Sequence, residues 1–250
     1  MTLLEPARPP LPLLVVVELR KMTDTRSGRW LLALVGLSTL VLLPVVLYTV
    51  PKQDQTMTEL FISSQVGTLL LPLLGILSVT AEWSQRTAIS TFALVPQRGR
   101  VLAAKLLAGA ALGALYAVIG LASGYAARAA GALLGRSGGA WTLPPSLVAT
   151  TVLHAVLVVM IGVAFGALLM NPALAIVLYF LLPTVWTIAG QSIRRLKEPA
   201  AWLDTNLTLK ALLEHNVTTA EWSRVGTSLV LWLALPLAVG AVRLARREVS

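Results

Sequence analysis

The sequence predicts an all-α membrane protein: a six-transmembrane-helix bundle with an N-terminal interfacial helix, a short cytoplasmic helix between the second and third spans, and a helical external segment before the last span. Three observations predict it. The chain of 250 residues is 56% hydrophobic and only 12% charged, and its mean hydropathy of +0.79 lies far above that of soluble domains. None of its 20 Lys and Arg or 11 Asp and Glu falls inside any of six long apolar stretches. The Lys and Arg flanking those stretches are unequally divided between the two sides, as in polytopic membrane proteins. The whole chain, residues 1–250, reads as one transmembrane domain.

At the N-terminus, the apolar run 11–17 is short, follows prolines and is closed by Glu18 without a small-residue cleavage site, so it does not read as a signal peptide. Residues 13–29 read instead as a helix at the cytoplasmic interface, with Leu11, Val15, Leu19 and Met22 on one stripe and Arg20, Lys21 and Asp24 away from it. About 20 helical residues cross roughly 30 Å of hydrocarbon. The uncharged stretches 30–50, 60–81, 106–127 and 225–242 each fit one pass. The 57 residues between Arg136 and Arg194 carry no formal charge and would extend about 85 Å as one helix. Asn171-Pro172 is the natural fold-back point, because proline removes a backbone donor and biases its predecessor away from helix. That places spans at 146–170 and 173–190.

With both termini in the cytoplasm, twelve Lys and Arg lie inside and eight outside, and the first span is flanked by five against one. The net charge of +9 follows from attraction of basic residues to anionic headgroups. No basic, aromatic-studded face stands apart from the membrane flanks, so nucleic acid is not expected as a partner. The absence of cysteine excludes disulfides and thiol chemistry.

Composition also restricts the function. Transporters driven by an ion gradient carry ionisable groups at membrane depth, and no carboxylate occurs in the six stretches. The energy source is therefore expected to lie elsewhere. The phosphate-loop pattern G-x-x-x-x-G-K-[ST] is absent, so the chain is not itself an ATPase. An intramembrane enzyme would need a nucleophile with a base, a carboxylate pair or several metal ligands. One intramembrane histidine and no intramembrane acid leave no catalytic residue and no metal site to expect.

The loop 82–105 is the most specific segment. Glu82 and Arg86 stand four apart with the acid first, the favourable order for a helical ion pair. Ile89, Phe92 and Val95 recur at helical spacing ahead of Pro96, which describes a short amphipathic helix. Two readings fit: docking onto a soluble partner, or residues that snorkel and cap the spans with Trp83 as interface anchor.

Here the chain resembles the permease subunits of ABC-2 type ATP-binding-cassette exporters. Those permeases show Glu, three residues, Gly or Arg, Thr, about eight residues, Pro, a basic turn and Lys. This chain has Glu82, Arg86, Thr87, Pro96, Arg98, Arg100 and Lys105, and Glu18-Leu19-Arg20-Lys21 with Thr25-Arg26-Ser27 and Trp30 resembles the family's entry segment. The resemblance covers nearly the whole chain. It implies a coupling helix in which Glu82, Arg86, Thr87, Phe92, Pro96, Arg98 and Arg100 meet a cytoplasmic ATP-binding-cassette ATPase subunit. ATP and magnesium would sit on that partner and no cofactor on this chain. It also implies a second permease subunit, identical or paralogous, and export of a hydrophobic or amphipathic substrate such as a drug, peptide antibiotic or lipid. Its arginine excess and alanine richness look bacterial, so the expected location is a bacterial plasma membrane. A channel-like or scaffold membrane subunit without ATP coupling is the alternative, since pores can be lined by hydroxyls and small residues.

Gly109, Gly113, Ala117, Gly120 and Gly124 fall on one face of the third span, and Gly162 and Gly166 repeat the spacing in the fourth. Such faces let helices approach closely in lipid, either within one bundle or at a subunit interface. Pro44, Pro72, Pro183 and Pro236 punctuate the spans as kinks. Polar groups at membrane depth are few, and Gln65, Thr151 and His154 are the candidates for a substrate path; as a lone histidine, His154 also fits a neutral packing role. Outside, 200–215 reads as a helix on or dipping into the outer interface, within an external segment 191–224. In the resembling family a short re-entrant element there helps close the exit.

Overall fold

Proline in the first turn of a helix costs no hydrogen bond, and side chains with oxygen acceptors satisfy the orphan amides that follow. The chain uses both devices repeatedly. Helix α1 (Leu11–Asp24) opens with Pro12 in its first turn. Thr25 caps α2 (Arg26–Thr49) by accepting from Gly28 N at 3.1 Å. Thr56 caps α3 (Met57–Ser64), a 3-10 stretch follows over Gln65–Leu70, and α4 (Leu71–Ser84) restarts at Pro72. Next come α5 (Arg98–Leu133), α6 (Pro145–Leu169) and α7 (Pro172–Ser192), the last capped by Asn171 through Leu174 N at 3.0 Å. The short helices α8 (Lys197–Leu203) and α9 (Thr205–Thr208) lead to α10 (Thr219–Leu229), which opens with a Thr218–Glu221 capping box. A π-helical stretch, Val230–Ala234, joins α10 to α11 (Leu235–Arg246).

The computed structural model describes residues 9–85, 87, 91, 94–95, 97–137 and 140–246. Among them no strand occurs, and six helices are long and apolar enough to cross a membrane: Arg26–Thr49, Met57–Ser84, Arg98–Leu133, Pro145–Leu169, Pro172–Ser192 and Thr219–Arg246. Helix α6 is the axis, packed against α4, α5 and α11. Its residues Ala155, Val159, Val163 and Ala164 are fully buried. Helices α2 and α7 are peripheral and display Leu37, Leu40, Val41, Val177, Val185 and Ile188 on the outside. An exposed apolar belt of this kind suits hydrocarbon and not water.

Glycine sets the spacing around the axis. A Cβ on Gly75 or Gly162 would strike backbone of the facing helix, Val159 O in one case and Pro72 O in the other, and one on Gly166 would lie 2.9 Å from Ile76 O. The glycine face of α5 is divided between two neighbours. Gly109 and Gly113 face Val159 and Ala155 of α6, while Gly120 and Gly124 face Gln65 and Phe61. All six of these predicted packing glycines of α5 and α6 therefore meet helices of their own bundle.

Several elements differ from the sequence expectation. The second span is interrupted, because Pro72 lacks an amide and Gln65–Leu70 tightens to 3-10 geometry ahead of it. The third helix has 36 residues, about 54 Å, and carries its flanking cations Lys105 and Arg128 inside itself. Both are buried at 3% exposure. They lie about 34 Å apart along the axis, one hydrocarbon thickness. Arg128 donates to Ser137 Oγ at 2.7 Å and stacks 4.7 Å from the Trp141 ring. The external 200–215 helix is broken at Asp204, whose backbone is extended and whose carboxylate accepts from Asn206 N at 2.9 Å to start α9. The segment then turns inward, and Leu209 and Leu212 join the core around α6.

Valine at Gly162 should lower stability by about 3 kcal/mol, since the overlap is with backbone that cannot rotate away. Gly36→Ala, where a Cβ meets nothing within 4 Å, should be neutral or slightly stabilising. Loss of helicity during titration with a denaturing detergent measures both.

Candidate functional site: a four-charge cluster and a cavity at the helix break

Both ends of the described chain meet the 97–100 turn at one end of the bundle. Arg100 donates to Pro9 O at 2.7 Å and Arg98 to Leu244 O at 2.5 Å. At this same end α1 lies across α5 and also touches α2 and α4. Its packed face brings Met22 against Ala108 and Leu112 and carries one acid, Glu18, exposed to 4%.

Glu18 completes a cluster of alternating charge. Lys105 of α5 donates to Glu18 Oε2 at 2.6 Å, to Glu82 Oε1 at 3.1 Å and to Ser78 O at 2.7 Å. Lys21 of α1 donates to Glu18 Oε1 at 2.8 Å and to Glu82 Oε1 at 2.7 Å. Two acids and two bases cancel, and Lys105, which is most deeply buried, has all three of its protons directed at acceptors. Removal of water opposes the charge on Lys21, but its hydrogen bonds to Glu18 and Glu82 outweigh that and raise its pKa above 10.5. A raised lysine contributes fully below its unfolded pKa and loses that contribution as pH climbs through the folded value. The Lys21 contribution is thus present at neutral pH and lost only in strong alkali.

The sequence pairs Glu82 with Arg86. Glu82 is engaged by Lys21 and Lys105, and Arg86 lies outside the described residues, as do Ile89, Phe92 and Pro96. Thr87 N donates to Glu82 O at 2.9 Å, and Thr91 and Val95 continue with donations at 3.1 Å to Thr87 O and 2.9 Å to Thr91 O. Thr91, Leu94 and Val95 line a groove of about 650 Å³ together with Leu13, Glu18 and Glu82. Of the four described residues among the seven expected to couple, Glu82 belongs to the charge cluster, Arg98 holds the C-terminal part of the chain and Arg100 the N-terminal part. Sequence reasoning missed Glu18, Lys21 and Lys105 as site residues. The available signal was an acid closing an apolar run within the spacing of the Val15–Met22 stripe.

A second feature lies at the break between α3 and α4. A helix interrupted inside a membrane must satisfy its freed backbone groups internally. Ser64 O accepts from Thr39 Oγ1 at 3.1 Å and from Tyr116 OH at 3.2 Å, and Ser64 Oγ reaches Gly120 O at 2.8 Å. The break borders a cavity of about 360 Å³ lined also by α6, α7 and the inward-turning segment near α9. Gln65 and His154, two of the expected path residues, both line it. Thr151 is buried but outside the lining. Asp204 sits nearby, fully buried, and accepts from Thr187 Oγ1 at 2.6 Å. Among the described residues no group of three or more His, Cys, Asp or Glu is placed to hold a metal. Neither the known protein families nor the curated proteins include a match to this chain.

Lys105→Met would leave two buried carboxylates sharing Lys21 as their one remaining cation in the cluster, and the expected loss is about 3–5 kcal/mol. Adding Glu18→Gln to that variant should recover part of it. Lys21, with its side chain 39% exposed, should cost no more than about 1 kcal/mol when replaced by Met. Thermal unfolding in mild detergent distinguishes the three.

Proposed function

We propose that this chain is the membrane-spanning subunit of an ATP-driven exporter of the ABC-2 permease type. In this reading both termini face the cytoplasm of a bacterial plasma membrane, a second permease subunit completes the pore, and a separate ATP-binding-cassette ATPase supplies the work. The substrate is hydrophobic or amphipathic. The observation that carries the reading is the position of Glu82. It is the last charged residue of α4 before segment 85–97, and its carboxylate is bonded to Lys21 of α1 and Lys105 of α5. Force applied to that segment by a docked subunit would reach three helices through one side chain. The resemblance in residue order over 82–105 and the absence of a phosphate-binding loop support the same reading.

Purification of the chain from its native membrane in mild detergent tests the partner directly. A co-purifying subunit with vanadate-sensitive ATP hydrolysis, lost when residues 82–100 are altered, is the expected outcome. A chain that purifies alone while folded, without hydrolysis, would point to a channel or scaffold. Glu82→Ala leaves both lysines with Glu18, so the assembly should stay folded while hydrolysis is uncoupled from transport; wild-type transport by that variant would refute the role of Glu82.

A further inference from the structure

The cavity at the helix break combines an aromatic wall with a hydrogen-bonding floor. Phe165 stacks on Trp232 with centroids 6.2 Å apart and meets Tyr179 edge-on at 5.7 Å. All three line the cavity, which is thus bounded by fixed rings. A volume of about 360 Å³ stands at the small end of the range for ligand pockets. One compact molecule fits such a space and a two-chain lipid does not.

Three polar atoms of lining residues have no partner among the described residues: Gln65 Oε1, Thr68 Oγ1 and His154 Nδ1. Gln65 is 4% exposed. Its amide orientation follows from its neighbour. Ser64 Oγ already lies within donating distance of Phe61 O and Gly120 O, so toward Gln65 it acts as acceptor, and it takes Gln65 Nε2 at 3.3 Å. That leaves the Gln65 carbonyl oxygen, a pure acceptor, for an N–H or O–H donor. Buried acceptors of this kind are unfavourable until they are met.

Charge narrows the class further. Among the described residues no Asp or Glu lines the cavity, and the one formal charge there is Lys210, which is exposed. Asp204 is close in sequence, but its two oxygens take Thr187 Oγ1 and Asn206 N. A cation entering would find no counter-charge and would pass a lysine.

We propose that this cavity binds one small aromatic molecule, neutral or singly anionic, that donates a hydroxyl or N–H to Gln65, and that it rejects cations of the same shape. The inference rests on the exporter reading only in taking the ligand as substrate; the binding step needs neither ATPase nor transport.

The test is equilibrium dialysis of 1-naphthol against the chain in lipid nanodiscs, with empty nanodiscs as the partition reference and 1-naphthylmethylammonium as the cationic match. Expected is one saturable site per chain for 1-naphthol and none for the ammonium. Gln65→Leu should weaken 1-naphthol about tenfold, the effect of one lost hydrogen bond to a buried group. Val66→Phe, which fills the cavity from the break itself, should abolish saturation even if Gln65→Leu fails to fold. Absence of saturable binding, equal binding of the cation, or saturation unchanged in Val66→Phe would each overturn the proposal. None of these results bears on whether an ATPase co-purifies, so the two readings fail separately.

Discussion

Backbone contact between α4 and α6 is the constraint on which the remaining packing depends. Lipid tails offer no hydrophobic drive for helices to associate, so close approach must supply the attraction. Gly75, Gly162 and Gly166 remove the side chains that would hold the two helices apart. This fixes where α4 begins, because the Pro72 carbonyl rests on Gly162. The second span must therefore leave regular geometry before Pro72. Its freed Ser64 carbonyl then draws in Thr39 from α2 and Tyr116 from α5. Packing, interruption and cavity form one causal chain that starts from three glycines.

Helix α4 also connects the two functional features. Pro72 borders the cavity and Glu82 belongs to the charge cluster, about 15 Å further along the axis. Buried ion pairs are weak sources of net stability, but they penalise misalignment heavily. Lys105 reaches its acceptors only when α1, α4 and α5 are in register. Much of the apolar surface of α1, including Leu13, Val16 and Val17, remains exposed. Its place on the bundle is thus set by Met22 and by charge, and α4 is held laterally at one end by ions and in its middle by glycine.

The six helices were legible because hydrophobic length and excluded charge are summed over many residues and survive local error. The fold-back at Asn171-Pro172 was legible for a local reason, since a proline with a capping asparagine before it acts within one turn. The ion pairs were not. Glu82 and Lys21 are 61 residues apart, and Glu18 and Lys105 are 87 apart; sequence spacing offers Glu82 only Arg86 and carries no sign of partners so distant along the chain. Gly75 was invisible for a similar reason, as it has no second glycine four residues away in α4 to mark a face. Gln65 and His154 stood out as polar residues in apolar stretches, and the cavity joins them, whereas nothing in Thr151 signalled that it would lie outside. Asp204 was hidden inside a stretch read as continuous helix, where its effect was to end one turn and start another.

The last membrane helix carries a periodicity that no regular α-helix could use. From Ser228 onward its buried positions, Ser228, Trp232, Pro236, Gly240 and Leu244, recur every four residues. At about 100° per residue such a row drifts by roughly 160° over its length and would wind from the core to the lipid. The π-helical stretch Val230–Ala234 holds an extra residue in one turn and gives back about 100° of that drift. A local change of pitch thus keeps α10 and α11 in angular phase with α6. Trp232, inside that stretch, is the side chain that the phase correction delivers to the Leu203 carbonyl.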